Sequence, residues 1–297
     1  MTSLTANGIT LSYDSFGDED AAVILLISGL GAQMIRWTDS FCQHLVAEGF
    51  RVIRFDNRDA GLSTHFTTSP SADFVALANA IAAGRKLNVP YTLYDMVADA
   101  VGLLDALSIN QVHVVGRSMG GMIAQLLASG YPQRVLSLCS IMSGTGNLSL
   151  ASAAPDIMAM LMKPAPDPFE EKERFVAHGL AFAKRISGSG YAVDEQAHRA
   201  IILAEARRAY DPGGFGRQIA AIAATGDIRP QLSHIRAPTL VVHGTEDALI
   251  PAACGEDTVA SVRNADLLLI TGMGHDLPAA LYEPICDAIF QNMRRQT

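Results

Sequence analysis

Short apolar runs rich in β-branched residues recur along the chain and alternate with segments of helical periodicity. The runs that predict strands are 9–13, 23–27, 51–55, 112–115, 135–141, 239–243 and 265–270. Most of these runs are apolar at successive positions, as expected of strands that are buried on both faces of a parallel sheet. Helical patterns fall between them at 37–48, 94–107 and 120–129. The order of elements predicts an α/β fold with a mostly parallel central sheet flanked by helices.

The strand pattern is lost between about residue 144 and residue 225, where helical patterns cover 155–162, 168–187 and 193–210. A helical stretch inserted between two strands of one sheet predicts a cap over the carboxyl ends of the strands, where such sheets bind ligands. We therefore expect an α/β core at 1–143 and 226–297 and a helical cap at 144–225.

Apolar side chains recur at helical spacing within this predicted cap, and several of them are methionines, which adapt to irregular ligands. They are Met158, Leu161, Met162, Phe175 and Phe182. Most are expected to pack against the sheet. Those that face the ligand favour a small molecule with an apolar acyl or ring group over a highly charged one.

Composition excludes several classes of partner. The chain has 297 residues and is 49% hydrophobic, enough for one large core. A net charge of −8 without a basic stripe argues against nucleic acid and against an anionic membrane surface. The first residues lack the basic-then-apolar layout of a signal peptide, and no apolar run approaches the roughly 20 residues of a membrane span. These features predict a cytoplasmic protein.

The four cysteines and eight histidines are scattered along the chain. They form neither a C-x-x-C pair nor an H-E-x-x-H motif, the spacings typical of metal sites. We therefore expect free thiols and neither a metal centre nor a disulfide framework.

A serine stands between glycines directly after the strand predicted at 112–115: Ser118 follows Gly116 by two positions and precedes Gly120 by two. A sharp strand-to-helix turn exposes a hydroxyl as a nucleophile, and small neighbours let the chains pass closely. A structural serine in an ordinary turn is the alternative. The strand before it and the helix after it favour the nucleophile.

A nucleophilic serine needs a histidine base and a carboxylate that orients the base. His275 lies in a glycine-containing loop after the last predicted strand, and Asp247 lies in the loop after the strand before it. Glu246 is the neighbouring rival, but the pattern G-x-x-D-x-x-x-P favours Asp247. A surface histidine and a turn-forming aspartate are the alternatives to these two roles.

Ester chemistry also needs backbone N–H groups that stabilise the oxyanion of the tetrahedral intermediate. The residue after the nucleophile, Met119, is one expected donor. The other is Leu30, in the loop Ser28-Gly29-Leu30-Gly31 that follows an early strand. A plain glycine turn is the alternative for this loop.

Together these motifs resemble the α/β-hydrolase superfamily over nearly the whole chain. The resemblance rests on the order Ser118, Asp247, His275, on the Ser-Gly-Leu-Gly loop and on the segment Asp-Asn-Arg-Asp-Ala-Gly-Leu-Ser at 56–63. More narrowly, the segments 28–37, 54–64 and 272–275 are similar to the branch of the aclacinomycin methylesterase and related bacterial carboxylesterases.

The resemblance implies a carboxylic-ester hydrolase that needs no cofactor. Ser118 would be the nucleophile, His275 the base and then the acid, and Asp247 the residue that orients it. The chain departs from the commonest pattern at Ser28, where many relatives carry histidine before the glycine. This departure affects only the detail of the oxyanion loop, because the expected donor is backbone.

Other residues near these motifs have more than one interpretation. Asp56 and Arg58 could form a charged catalytic pair, but the resemblance implies a turn that braces the loop beside the oxyanion site. His113 lies inside a predicted strand and is expected to be a core histidine. Arg117 could reach substrate or solvent. Trp37 could line the acyl pocket or simply pack.

Two further classes of function stay open. The same triad could cleave carbon–carbon bonds, amides or iminopeptides, or carry out perhydrolysis. Haloalkane and epoxide chemistry are disfavoured, because those relatives carry aspartate where Ser118 stands. A non-catalytic binding module would require the loss of a triad member, and all three residue types are present.

Overall fold

One eight-stranded sheet organises the chain, of which the computed structural model describes residues 2–69, 73–151 and 153–295. The strands are β1 (Thr2–Ala6), β2 (Ile9–Phe16), β3 (Val23–Ile27), β4 (Arg51–Phe55), β5 (Val112–Arg117), β6 (Val135–Ile141), β7 (Thr239–Gly244) and β8 (Ala265–Ile270). Their order is β1-β2-β4-β3-β5-β6-β7-β8, and β2 pairs antiparallel with both β1 and β4. The remaining pairs are parallel, which confirms the predicted α/β fold.

Helices cover both faces of the sheet. Among the described residues they are α1 (Asp39–Ala47), α2 (Phe74–Ala82), α3 (Leu93–Ala106), α4 (Met119–Gly130), α5 (Pro155–Met162), α6 (Lys172–Ile186), α7 (Glu195–Arg208), α8 (Pro212–Thr225), α9 (Arg229–Leu232), α10 (Ala252–Ser261) and α11 (Tyr282–Met293). Short 3₁₀ helices lie at Met34–Arg36 and Ala279–Leu281. Helices α3 and α4 pack on one face, and α1 and α11 pack on the other.

This double cover explains the sequence pattern of the central strands. All five residues of β3 are buried, because each face of the strand packs into a different one of the two hydrophobic clusters. The edge strand β1 is largely exposed and lacks an apolar run, and for that reason the hydrophobic pattern does not reveal it. It joins β2 through Asn7 and Gly8, both with positive φ, as a tight hairpin turn requires.

The inserted helices α5–α9 lie between β6 and β7, as the predicted helical cap requires. Helix α6 begins at Lys172 rather than at residue 168, because Asp167 accepts hydrogen bonds from the N–H groups of Phe169 and Glu170 in a separate turn. Helix α9 lies beyond the predicted limit at residue 225 and packs against α4 and α10 of the core. The domain limits themselves stay a prediction.

Two buried ion pairs attach the inserted helices to the turn after β4. Arg208 of α7 lies 2.6 Å from Asp56, and Arg217 of α8 lies 2.8 Å from Asp59, with every one of these side chains at most 6% exposed. A charge in such a position is stable only while its partner is present. The docking of α7 and α8 is therefore specific and not a loose covering.

The described helices include none with both the length and the apolarity of a membrane span.

Candidate active site

Ser118 lies at the turn from β5 into α4 with φ 54° and ψ −126°, a backbone conformation that serine rarely adopts. Two hydrogen bonds hold it there. The Ser118 N–H donates to the carbonyl of Ile141 at 2.9 Å, and the Ser143 hydroxyl donates to the carbonyl of Ser118 at 2.7 Å. The strained turn is thus fixed by the neighbouring end of β6.

The glycines around Ser118 are required by close backbone contacts. A Cβ on Gly116 would collide with the backbone of Gly120, and a Cβ on Gly120 would collide with the carbonyl of Ile27. A Cβ on Gly121 would lie 2.5 Å from the Ser143 Cβ. These contacts give the glycine pattern of the sequence its physical reason.

Ser118, His275 and Asp247 form one line of hydrogen bonds. His275 Nε2 lies 3.0 Å from Ser118 Oγ, and His275 Nδ1 lies 2.7 Å from Asp247 Oδ2. A carboxylate facing Nδ1 keeps the proton on that nitrogen and leaves Nε2 free to accept from the serine. The structure therefore brings together the three side chains that the sequence singled out.

Asp247 itself is held in its ionised state. Burial opposes ionisation, but electrostatic attraction to His275 and hydrogen bonds from His243, His275 and the Ile250 N–H lower the pKa of the carboxyl to about 2. The N–H of Leu249 also donates to Asp247 Oδ1, at 3.0 Å. The rival carboxylate, Glu246, instead accepts from the backbone and hydroxyl of Ser189.

His243 is a neighbour that the sequence analysis missed. It is fully buried at the end of β7, with Nε2 2.8 Å from the carbonyl of Ile250 and 3.5 Å from Asp247 Oδ2. The available signal was a polar residue in an apolar strand, four positions before Asp247. This second contact to Asp247 Oδ2 favours the charged form of the carboxylate.

The loop that carries His275 is bonded to the inserted helices. The Gly274 N–H donates to the carbonyl of Ser187 at 2.9 Å, and the His275 N–H donates to the carbonyl of Ile186 at 2.6 Å. These carbonyls lie at the end of α6, where helices leave their last carbonyls without intrahelical partners. Helix α6 therefore fixes the backbone of the histidine.

Residues 28–32, which the sequence predicts to be the oxyanion loop, pack directly against the serine. A Cβ on Gly29 would lie 3.1 Å from the Cβ of Ser118. The N–H groups that follow Leu30 each have an acceptor within 3.2 Å: Gly31 bonds Gln218 Oε1, Ala32 bonds the Gly29 carbonyl, Gln33 bonds Glu205 Oε1 and Met34 bonds Asp56 Oδ1. Within the described part of the chain, the N–H groups of Leu30 and Met119 have no such partner. Neither of these two N–H groups is therefore used by a hydrogen bond among the described residues.

Asp56 and Arg58 do not pair with each other. Asp56 pairs with Arg208, whereas Arg58 Nε lies 2.6 Å from Asp99 on α3. Asp56 still accepts the Met34 N–H at 2.8 Å, so the turn does contact the segment after the oxyanion loop. Both residues contribute through packing and ion pairing within the fold.

Trp37 is fully buried and packs 5.1 Å from the Phe41 ring, so its ring belongs to the core. The Arg117 guanidinium stacks 5.0 Å from the Trp37 ring centre. Burial, with the nearby Arg36 charge, lowers the pKa of Arg117 to about 10. His113, which was expected in the core, is half-buried, and its Nδ1 lies 2.8 Å from Ser137 Oγ.

One group of potential metal ligands occurs among the described residues: Asp59, His65 and Asp211, whose ligand atoms lie within 4.8 Å of one another. Arg217 already lies between the two carboxylates, 2.8 Å from Asp59 and 2.5 Å from Asp211. A cation at this point would be repelled by the guanidinium. The group is better explained as an ion-pair network between the segment after β4 and the start of α8.

The apolar residues predicted in the cap are half-buried, except Met158, which is 40% exposed. The four cysteines are free, and three of them are fully buried.

Three features are together typical of α/β hydrolases. They are the sheet order, the strained turn at Ser118 and the hydrogen bonds that join Ser118, His275 and Asp247. A family model described as the alpha/beta hydrolase fold matches residues 22–278, and the chain belongs to this family.

Relatives with assigned activities extend over almost the whole chain. A rhodomycin D methylesterase of Streptomyces peucetius is 28% identical and covers 99% of this chain and 98% of its own length. A 2-hydroxy-6-oxononadienedioate/2-hydroxy-6-oxononatrienedioate hydrolase of Paraburkholderia xenovorans is 27% identical, covering 90% of this chain and 84% of that protein. The crystal structure of a hydrolase from Pseudomonas aeruginosa PA01 matches with a TM-score of 0.70 at 25% identity, covering 99% of this chain and 98% of that one.

Proposed function

We propose that this chain is a serine hydrolase that cleaves carboxylic esters through an acyl-Ser118 intermediate. One observation carries the proposal: His275 lies within hydrogen-bond distance of both Ser118 and Asp247, at 3.0 Å and 2.7 Å. This is the arrangement of nucleophile, base and orienting carboxylate that acyl transfer needs.

In the acylation step, His275 Nε2 takes the proton of Ser118 as Oγ attacks the ester carbonyl carbon. The carbonyl electrons move to oxygen, and the N–H groups of Leu30 and Met119 donate to the oxyanion. When the intermediate collapses, the bond to the alcohol oxygen breaks and His275 returns the proton to the leaving alcohol. Asp247 stabilises the imidazolium that exists in between.

Deacylation repeats these steps with water. His275 removes a proton from the water, whose oxygen attacks the acyl carbon, and the Ser118 oxygen leaves with that proton. The products are a carboxylic acid and the free enzyme. Apart from the ester and the water, the reacting groups of this sequence are side chains and backbone N–H groups of the chain.

The favoured substrates are esters with an apolar acyl or ring group. Apolar cap residues such as Leu161 and Phe182 support this class, as does the similarity to a methylesterase of a polycyclic compound, rhodomycin D.

A second candidate is carbon–carbon bond hydrolysis. It is favoured by the relative from Paraburkholderia xenovorans, whose named substrate carries a ketone and two acids but no ester. The same serine could attack such a ketone, and a stabilised carbanion would then leave in place of an alcohol. Both functions would use Ser118, His275 and Asp247, and they differ only in the leaving group.

Turnover rates on a panel of substrates separate these functions. The panel contains p-nitrophenyl esters of increasing acyl length, the methyl ester of a polycyclic acid, a β-diketone and a proline amide, each tested with wild type and Ser118→Ala. We expect the wild type to hydrolyse the esters. Ser118→Ala is expected to fold normally and to hydrolyse none of them. Turnover restricted to the diketone would favour the second candidate, and unchanged turnover by Ser118→Ala would contradict both. Tight ligand binding without turnover would indicate a binding module.

A further inference from the structure

We propose that Gln218, on the inserted helix α8, is a positioning residue that orients the oxyanion loop beside Ser118. This inference rests on the proposed function. It assigns to the inserted helices a part in the chemistry itself, in addition to covering the ligand.

The Gln218 amide joins two segments of the core. Its Oε1 accepts the Gly31 N–H at 2.7 Å, and its Nε2 donates to the carbonyl of Arg58 at 2.8 Å. The side chain is fully buried, so water does not compete for either partner. One end of the amide must accept and the other must donate, a combination that glutamine provides without charge.

The contact acts on the turn that directs the Leu30 N–H. The Ala32 N–H donates to the carbonyl of Gly29 at 3.2 Å, and Gly31 has φ +65°, as the third residue of a type II turn requires. Because the Gly29–Leu30 peptide is planar and trans, its carbonyl points into the turn and the Leu30 N–H points out of it. Fixing Gly31 therefore fixes the direction of that N–H.

Other contacts from the inserted helices support the same loop. The Phe215 ring of α8 fills the space where a Cβ of Gly31 would lie, 2.8 Å from that position. Glu205 of α7 accepts the Gln33 N–H at 3.2 Å. The Leu30 donor is therefore aligned only while α7 and α8 are docked on the core.

The test compares Gln218→Met with Gln125→Met. Both glutamines are 0% exposed, but Gln125 lies on α4 and donates to Ser140 instead of contacting the oxyanion loop. The readouts are kcat and KM for a p-nitrophenyl ester and the rate at which a fluorophosphonate labels Ser118. That reagent also places an oxygen among the oxyanion donors, and it does not depend on the natural substrate.

We expect Gln218→Met to lose about ten- to a hundredfold in kcat and in labelling rate with little change in KM, because a misaligned donor weakens only the transition state. Gln125→Met is expected to keep both rates within a few-fold of wild type. Equal losses in the two variants, or a wild-type labelling rate in Gln218→Met, would overturn the proposed role.

Failure of the wild type to label at all would overturn the proposed function, and this role with it.

Discussion

At the scale of single residues, the site combines a strained serine with a carboxylate that stays charged. Ser118 is held at positive φ by bonds to Ile141 and Ser143, and strain of this kind persists only where the surrounding fold imposes it. With a pKa of about 2, Asp247 is ionised throughout the physiological range. Its charge lies 2.7 Å from His275 Nδ1, where it can stabilise a positive charge on the imidazole.

The substitution Asp247→Asn tests this electrostatic role. An amide in place of the carboxylate removes the charge and can present its NH₂ group to Nδ1, which stabilises the wrong tautomer of His275. We expect kcat to fall by about 10²–10⁴-fold with KM little changed. The matched control is Glu246→Gln, the adjacent carboxylate, which bonds Ser189 and should keep near-wild-type kcat. A loss of less than tenfold in Asp247→Asn would contradict the role.

At the scale of elements, the sequence pattern predicted the strands whose residues are buried on both faces of the sheet. The strands Val23–Ile27, Arg51–Phe55 and Val135–Ile141 have their predicted limits, because their runs of apolar residues match a sheet covered on both faces. The exposed edge strand β1 has no such run and was missed.

The candidate site was predictable where each residue follows the end of a strand. Ser118, Asp247 and His275 belong to loops at one edge of the sheet, so strand order alone brings them near each other. The contacts from inserted helices could not be predicted in this way. Gln218 and Gly31 are 187 positions apart, and their pairing depends on how α8 docks, which no local pattern encodes.

The docking of α7 beside the histidine loop should depend on pH. His198 of α7 lies 3.5 Å from Asp276, and this hydrogen bond raises the pKa of His198, against the effects of burial and Arg36. The same contact lowers the pKa of Asp276 against its own burial. The stabilisation is thus present below the unfolded histidine pKa of about 6.5 and is lost as pH rises through the folded value.

We therefore expect His198→Gln to lower the melting temperature by about 1–2 °C near pH 5.5 and to have almost no effect at pH 9. His178 of α6 offers a control of opposite sign, because burial and then Lys163 lower its pKa. Thermal melts across this pH range measure His198→Gln and the control His178→Gln. A His198→Gln effect that is constant or grows with pH would refute the linkage.

At the scale of the whole molecule, the inserted helices and the core are joined by buried charges. Arg208 and Asp56 are 6% and 0% exposed, and loss of one partner would leave the other charge uncompensated. The oxyanion loop and the histidine loop are also bonded to α6, α7 and α8. These connections predict that cap and core unfold together.

Arg208→Met should lower the free energy of unfolding by about 3–5 kcal/mol, because it leaves the Asp56 carboxylate buried without its charged partner. The neighbouring exposed Arg207→Met should change it little. Trp37, the only tryptophan of the chain, reports on the core by fluorescence, while circular dichroism at helical wavelengths includes the cap. Coincident denaturant transitions are expected in the wild type, and separate ones would show that the cap unfolds independently.

The most direct test of the central claim is to detect the acyl group on Ser118. Wild-type chain mixed with a p-nitrophenyl ester and quenched with acid within milliseconds is analysed by mass spectrometry of the intact chain and of its peptides. We predict a gain of one acyl group on the peptide that contains Ser118, and no such gain in Ser118→Ala. Acylation of a different residue, or full turnover by Ser118→Ala, would contradict it.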